Sequence, residues 1–199
     1  MQRARRLIQI SMAVAVSLAG QALSGKAAAD GHVSQSGVAS WLHEVKVGVL
    51  HHDTPDLWSG FRRESGIDIN LEAIFAPKLD VLGGAIRPAL GGSINTAGDT
   101  SKFYAGIRWQ YELEMGLFFG IGVGGAVHNG ELELTRRDRK ALGKRLLFHI
   151  PIEVGYRFDG GPHAVSVYFD HISNAYTADE NEGMDTLGLR YGYRFGAGR

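Results

Sequence analysis

Apolar and polar residues alternate one by one through most of this chain, and a side-chain period of two is the signature of β-strands. Val45, Val47 and Val49 alternate with Glu44, Lys46 and Gly48; Ile67, Ile69, Leu71 and Ala73 with Asp68, Asn70 and Glu72. Ile86, Leu90 and Ile94 share a parity opposed to Arg87, Gly91 and Ser93. Phe103, Ala105, Ile107, Trp109 and Tyr111 oppose Tyr104, Gly106, Arg108, Gln110 and Glu112. Met115 to Val127 sets Leu117, Phe119, Ile121 and Val123 against Gly116, Gly120, Gly122 and Gly124. Ile150, Ile152, Val154, Tyr156 and Phe158 oppose His149, Glu153, Gly155 and Arg157. Two further runs, Val165–Ser173 and Asp185–Phe195, bring the total to eight.

Alternation alone fits a soluble sandwich as well as a membrane barrel. Three features favour an all-β, eight-stranded antiparallel transmembrane β-barrel of the outer-membrane type. First, Arg3, Arg5 and Arg6 precede an apolar stretch from Leu7 to Leu23, and Ala27-Ala28-Ala29 supplies the small residues of a cleavage site. Residues 1–29 are therefore expected to be a cleaved signal peptide and 30–199 the barrel domain. Second, connections alternate between long (51–65, 129–145, 174–184) and short (113–114, 160–161), as outer loops and periplasmic turns do. The link from Ala76 to Gly84 is longer than that rule wants. Third, the polar set carries both charge signs, Glu44, Lys46, Asp68, Glu72, Arg108, Glu112, Glu153, Arg157, Arg190 and Arg194, which can pair inside a narrow eight-stranded lumen. Trp41, Trp109, Tyr111, Tyr156, Phe158, Tyr193 and Phe195 fall near strand ends, as interfacial girdles require.

Composition removes several other classes. Lys and Arg total 21 against 21 Asp and Glu, so no basic field points to nucleic acid. Cysteine is absent, which excludes disulfides and thiolate metal sites. Gly120-Ile121-Gly122-Val123-Gly124-Gly125 matches a dinucleotide fingerprint by letter, but no helical period follows it and its glycines lie on the inward parity. His51-His52-Asp53 lacks further ligands at recognisable spacing and reads as a solvated loop start. The basic run Arg136-Arg137-Asp138-Arg139-Lys140, with Lys144 and Arg145, belongs to the longest outer loop, where it serves solubility or attracts lipopolysaccharide phosphates.

The chemistry concentrates near the C-terminus. His171 and Ser173 share the parity of Val165, Val167 and Phe169, and Asp185 shares that of Leu187, Leu189, Tyr191, Tyr193 and Phe195. An ionisable residue on a lipid-facing surface is costly and usually has a purpose. Fourteen positions separate His171 from Asp185, enough for two strand ends and a loop, and residues opposed across adjacent strands come within about 5 Å. An imidazole can take a serine's proton while a carboxylate fixes its tautomer.

His171-Ile172-Ser173-Asn174-Ala175, downstream Asn181, Asp185 and the terminal Arg190-Tyr191-Gly192-Tyr193-Arg194-Phe195 strand resemble the lipid A 3-O-deacylases, acyloxyacyl hydrolases of the PagL type. The resemblance implies an eight-stranded outer-membrane barrel that removes the 3-hydroxyacyl chain ester-linked at position 3 of lipid A, without a metal or other cofactor. It implies Ser173 as nucleophile, His171 as general base and acid, and Asp185 as the orienting acid. Asn174, through the amides around it, and Asn181 are implied in holding the oxyanion or substrate. Two departures stand out: the family's acid is typically glutamate, and Tyr176 stands where a glycine commonly follows the Ser-Asn-Ala run. Asp179, Glu180 and Glu182 are looser alternatives for the acid.

The expected function is thus an outer-membrane serine esterase acting on lipopolysaccharide among outer-membrane lipids. A non-catalytic small barrel, or an esterase acting on phospholipids, are the rival expectations.

Overall fold

The computed structural model describes residues 41–60 and 63–196. The expected signal peptide and its cleavage after Ala29 lie outside the described residues. Nine strands follow in order: β1 (Leu42–His51), β2 (Ile67–Phe75), β3 (Leu79–Val81), β4 (Gly84–Asn95), β5 (Lys102–Glu112), β6 (Leu117–His128), β7 (Leu146–Arg157), β8 (His163–Ser173) and β9 (Met184–Arg194). Consecutive strands pair antiparallel except β2 and β3, which both pair with β4, and β1 also pairs with β9, so eight strands close into a barrel. Closure leaves the barrel's long strands without an unpaired edge.

The long link expected between Ala76 and Gly84 resolves into an interrupted strand and a tight turn. After the Ile74↔Ala89 pair, residues 75–78 face only residues 87 and 88 of β4, and pairing resumes as β3 at Leu79↔Ile86. Pro77 and Pro88 both sit at this break, where their missing N–H groups cannot serve a ladder. The turn itself is only Leu82-Gly83, both at positive φ (50° and 75°), the geometry of a two-residue type I′ hairpin. Short turns therefore connect the strands at this end, and loops 52–66, 96–101, 129–145 and 174–183 gather at the other.

Inside and outside are reversed relative to a soluble protein. Val47, Val49, Ile69, Ile107, Phe119, Ile121, Val154, Val165, Val167 and Leu189 are exposed on the outer wall. Glu44, Lys46, Asp68, Asn70, Glu72, Arg108, Glu153, Arg157, Asp170 and Arg190 are buried within. Lys46 Nζ and Arg190 Nη2 both lie 2.7 Å from Glu153 Oε2, Arg108 Nη2 is 2.7 Å from Glu72, and Arg157 Nη2 is 2.9 Å from Glu44. Lys102 pairs with Asp170, and the Arg190 guanidinium stacks 3.6 Å from the Tyr168 ring centroid. Such an interior is packed with ion pairs, and such an exterior is stable only against hydrocarbon. The glycines of β6 serve this packing: a Cβ at Gly122 would meet Arg108 Nη1 at 2.6 Å. Aromatic contacts line the short-turn end, with Trp41 on Phe75, Trp109 on Tyr111 and Phe119, and Tyr193 on Phe195.

Candidate active site

The His171–Asp185 pair is built by register. Strands β8 and β9 place these residues directly opposite each other, on the outward parity and beside the long-loop end. His171 Nδ1 lies 2.6 Å from Asp185 Oδ1. A carboxylate can only accept, so Nδ1 carries the proton and Nε2 is left as a base. Direct opposition also brings the short aspartate arm within reach, which answers the departure from glutamate. Ser173 follows His171 by two residues on the same face of β8, and β7 places Phe148 opposite Ser173 and Ile150 opposite His171.

Asp185 is fully buried even though it faces outward, because residues 54–59 fold down over it. Thr54 N–H donates to the Asp185 carbonyl at 2.8 Å, and Ser59 N–H donates to Asp185 Oδ2 at 2.7 Å. Trp58 packs edge-on against His171 and Phe169, with ring centroids 5.2 and 5.3 Å apart. Gly183 closes in as well: a Cβ there would lie 2.9 Å from His171 Cε1 and 3.4 Å from Ser173 Cβ. Sequence reasoning missed Trp58, Ser59 and Gly183. A loop contact has no periodicity to betray it, although a tryptophan in a loop and a glycine just before a strand were visible.

The flanking candidates divide. The Asn174 side chain is buried and its Nδ2 donates to Leu142 O (3.1 Å) and Glu180 O (2.5 Å), while its Oδ1 accepts from Thr177 N–H (3.2 Å). Its carboxamide is therefore spent stitching loops together and is not a substrate donor; only backbone amides near it remain for that role. Asn181 Oδ1 is buried without a hydrogen-bond partner. Of the alternative acids, Glu182 is taken by Arg63 Nε (2.9 Å) and the Ala141 N–H (2.7 Å). Asp179 is an exposed loop residue. Ala175 and Tyr176 both hold positive φ (53° and 60°), which is the physical reason a glycine suits position 176.

A buried polar knot anchors the loops beneath the site. His52 and Asp53, expected to be solvated, are completely buried. His52 bonds Asp68 Oδ1 (2.8 Å) through Nδ1 and Glu64 Oε2 (3.0 Å) through Nε2. Burial pulls the His52 pKa down, but the two carboxylates outweigh it and hold it above its ordinary value. Burial likewise opposes the Glu64 carboxylate, yet bonds from His52, Lys140 N–H and Thr100 bring it down to about 2. Lys140 Nζ lies 2.9 Å from Asp53 and donates to Gly183 O at 2.8 Å, so the basic run is partly internal. Arg139 pairs with Asp99, and Arg145 Nη1 donates to the His128 and Gly130 carbonyls, whereas Arg136, Arg137 and Lys144 face outward. Among the described residues no group of three or more histidine or acidic side chains is arranged to hold a metal ion.

A closed barrel with an apolar exterior, carrying a histidine–carboxylate pair and a serine on its outer wall, defines an outer-membrane-type β-barrel protein. The sequence model of the lipid A 3-O-deacylase (PagL) family matches residues 66–194, and the chain belongs to that family of hydrolases. Its fold is similar to the crystal structure of the outer membrane enzyme PagL, at 22% identity over 75% of this chain and 98% of that one, with a TM-score of 0.57. It is also similar to the Yersinia pestis outer membrane protein Ail (10% identity, 78% and 99% coverage, TM-score 0.45). Neisserial surface protein A is comparable (8% identity, 78% and 97% coverage, TM-score 0.46). Among curated proteins none matches the sequence.

Proposed function

We propose that this protein is exported to the outer membrane under the direction of residues 1–29 and there removes the 3-O-linked hydroxyacyl chain of lipid A by a Ser173/His171/Asp185 mechanism. The observation that carries the mechanism is the 2.6 Å His171–Asp185 bond on the lipid-facing wall, beside a serine of the same face. Ser173 Oγ attacks the ester carbonyl and gives its proton to His171 Nε2. Collapse of the tetrahedral intermediate returns that proton to the leaving sugar oxygen. Water, activated by the same imidazole, then releases the fatty acid from Ser173. Asp185 holds Nδ1–H throughout and offsets the imidazolium charge. The oxyanion is held by backbone amides near Asn174 and by the Asn181 carboxamide, a type of contribution worth about 3 kcal/mol per donor.

The location suits the substrate. Lipid A diffuses in the outer leaflet, so a site on the barrel wall meets the ester without drawing the lipid out of the membrane. Exposed Arg137 and Lys144 on the 129–145 loop attract its phosphates. Expression of the protein and of Ser173→Ala in cells with intact lipid A, followed by mass spectrometry of the lipid, tests the reading. Loss of one 3-hydroxyacyl chain with the unaltered protein only is expected; equal loss with both would remove Ser173 as nucleophile. Fatty-acid release from phospholipid vesicles free of lipid A would reassign the substrate.

A further inference from the structure

The strands do only part of the work of assembling the His171–Asp185 pair. Register sets Oδ1 of Asp185 against Nδ1 of His171, but a barrel wall leaves Oδ2 and the outer face of the imidazole uncovered. Both are covered here by one short stretch of the 52–66 loop. Ser59 N–H satisfies Oδ2, Thr54 N–H ties the loop to the Asp185 carbonyl, and the Trp58 indole stands edge-on over His171 and Phe169. Asp185 has no exposed surface as a result, while Trp58 itself remains 56% exposed on the side a lipid would approach.

We infer that the segment 54–59, which follows β1, is a positioning element of the active site, acting through Trp58 and the Ser59 N–H. This rests on the Ser/His/Asp reading above. With both oxygens engaged, the Asp185 carboxylate cannot rotate away from His171. With Trp58 and Gly183 both close against it, the imidazole is held in a single orientation with Nε2 left for the serine proton. Excluding water from the Nδ1–H···Oδ1 bond strengthens it, because the local dielectric falls. Trp58 is thus a positioning residue, and the loop a working part of a site that the strands alone leave incomplete.

Purified, folded Trp58→Ala and Trp58→Phe barrels test this. In mixed micelles of lipopolysaccharide and detergent, Trp58→Ala is expected to lose at least tenfold in kcat with KM changed less than twofold, and Trp58→Phe to recover most of the loss. A second readout needs no substrate. In ¹⁵N-histidine-labelled protein the His171 Nδ1 proton, assigned by its absence in Asp185→Asn, should be downfield and slow to exchange, and should be lost to exchange in Trp58→Ala but kept in Trp58→Phe. An unchanged kcat, a loss confined to KM, or a proton equally protected in Trp58→Ala would overturn the inference. Should the unaltered protein release no acyl chain, the functional reading fails, and the proton measurement still decides the role of the loop.

Discussion

At the scale of single residues, Gly183 matters for the side chain it lacks. Its missing Cβ leaves room for the edge of His171 and for Ser173, and no other residue fits without moving the ring. Gly183→Ala is expected to keep the barrel folded, since overpacking costs about 1–3 kcal/mol. Turnover should fall by tenfold or more, because a 1 Å misplacement costs on the order of 100-fold in rate. Steady-state kinetics beside a thermal melt separates the two effects. Asp185 was legible in the sequence by parity alone, and the structure adds that it stands directly across from His171. Asn174 was legible only as a neighbour of the serine; its commitment to two loop carbonyls depends on residues 32 positions upstream and six downstream in the chain.

At the scale of elements, the turns and loops follow different rules. The Leu82-Gly83 turn needs positive φ at both positions, and Leu82 is 87% exposed, so its side chain gains no packing for the strain it carries. Leu82→Asn should stabilise the barrel by up to about 1 kcal/mol, because the short polar asparagine side chain hydrogen-bonds locally and tolerates the left-handed region better than leucine, as read from denaturant midpoints. The loops at the opposite end depend on His52 between Asp68 and Glu64. The raised His52 pKa gives stability that is full below its unfolded value of 6.5 and fades as pH climbs through the folded value. The lowered Glu64 pKa gives stability that is full above 4.5 and fades as pH falls towards about 2. Loop protection in hydrogen exchange should therefore be greatest between pH 4.5 and 6.5 and decline on both sides. None of this was readable beforehand: His52-Asp53 and Lys140 look solvated in a linear sequence, because nothing periodic marks the loop fold that carries Glu64 back to His52 or Lys140 to Asp53.

At the scale of the whole molecule, the ion pairs of the lumen replace a hydrophobic core. Glu153 holds both Lys46 and Arg190, so Glu153→Ala leaves two buried cations short of their counter-charge. A loss of about 3–5 kcal/mol is expected, measured by urea unfolding in detergent or bilayer. The outward site should stay assembled in the molecules that remain folded, since Glu153 and His171 project to opposite faces of the wall. The same inversion sets the apolar side chains on the exterior, the face that meets hydrocarbon, and keeps the paired charges inside.

The sequence by itself determined the number of barrel strands, their facing and the outward placement of His171, Ser173 and Asp185, because a period of two converts position directly into side. It could not determine what the loops touch. Trp58 over His171, Ser59 on Asp185, Lys140 on Gly183 and Glu64 on His52 are contacts between segments whose order along the chain carries no periodic signal. Tertiary structure alone decided them, since closing the barrel brings four loops to one mouth, where buried polar groups find partners within a loop, on another loop or on a strand end.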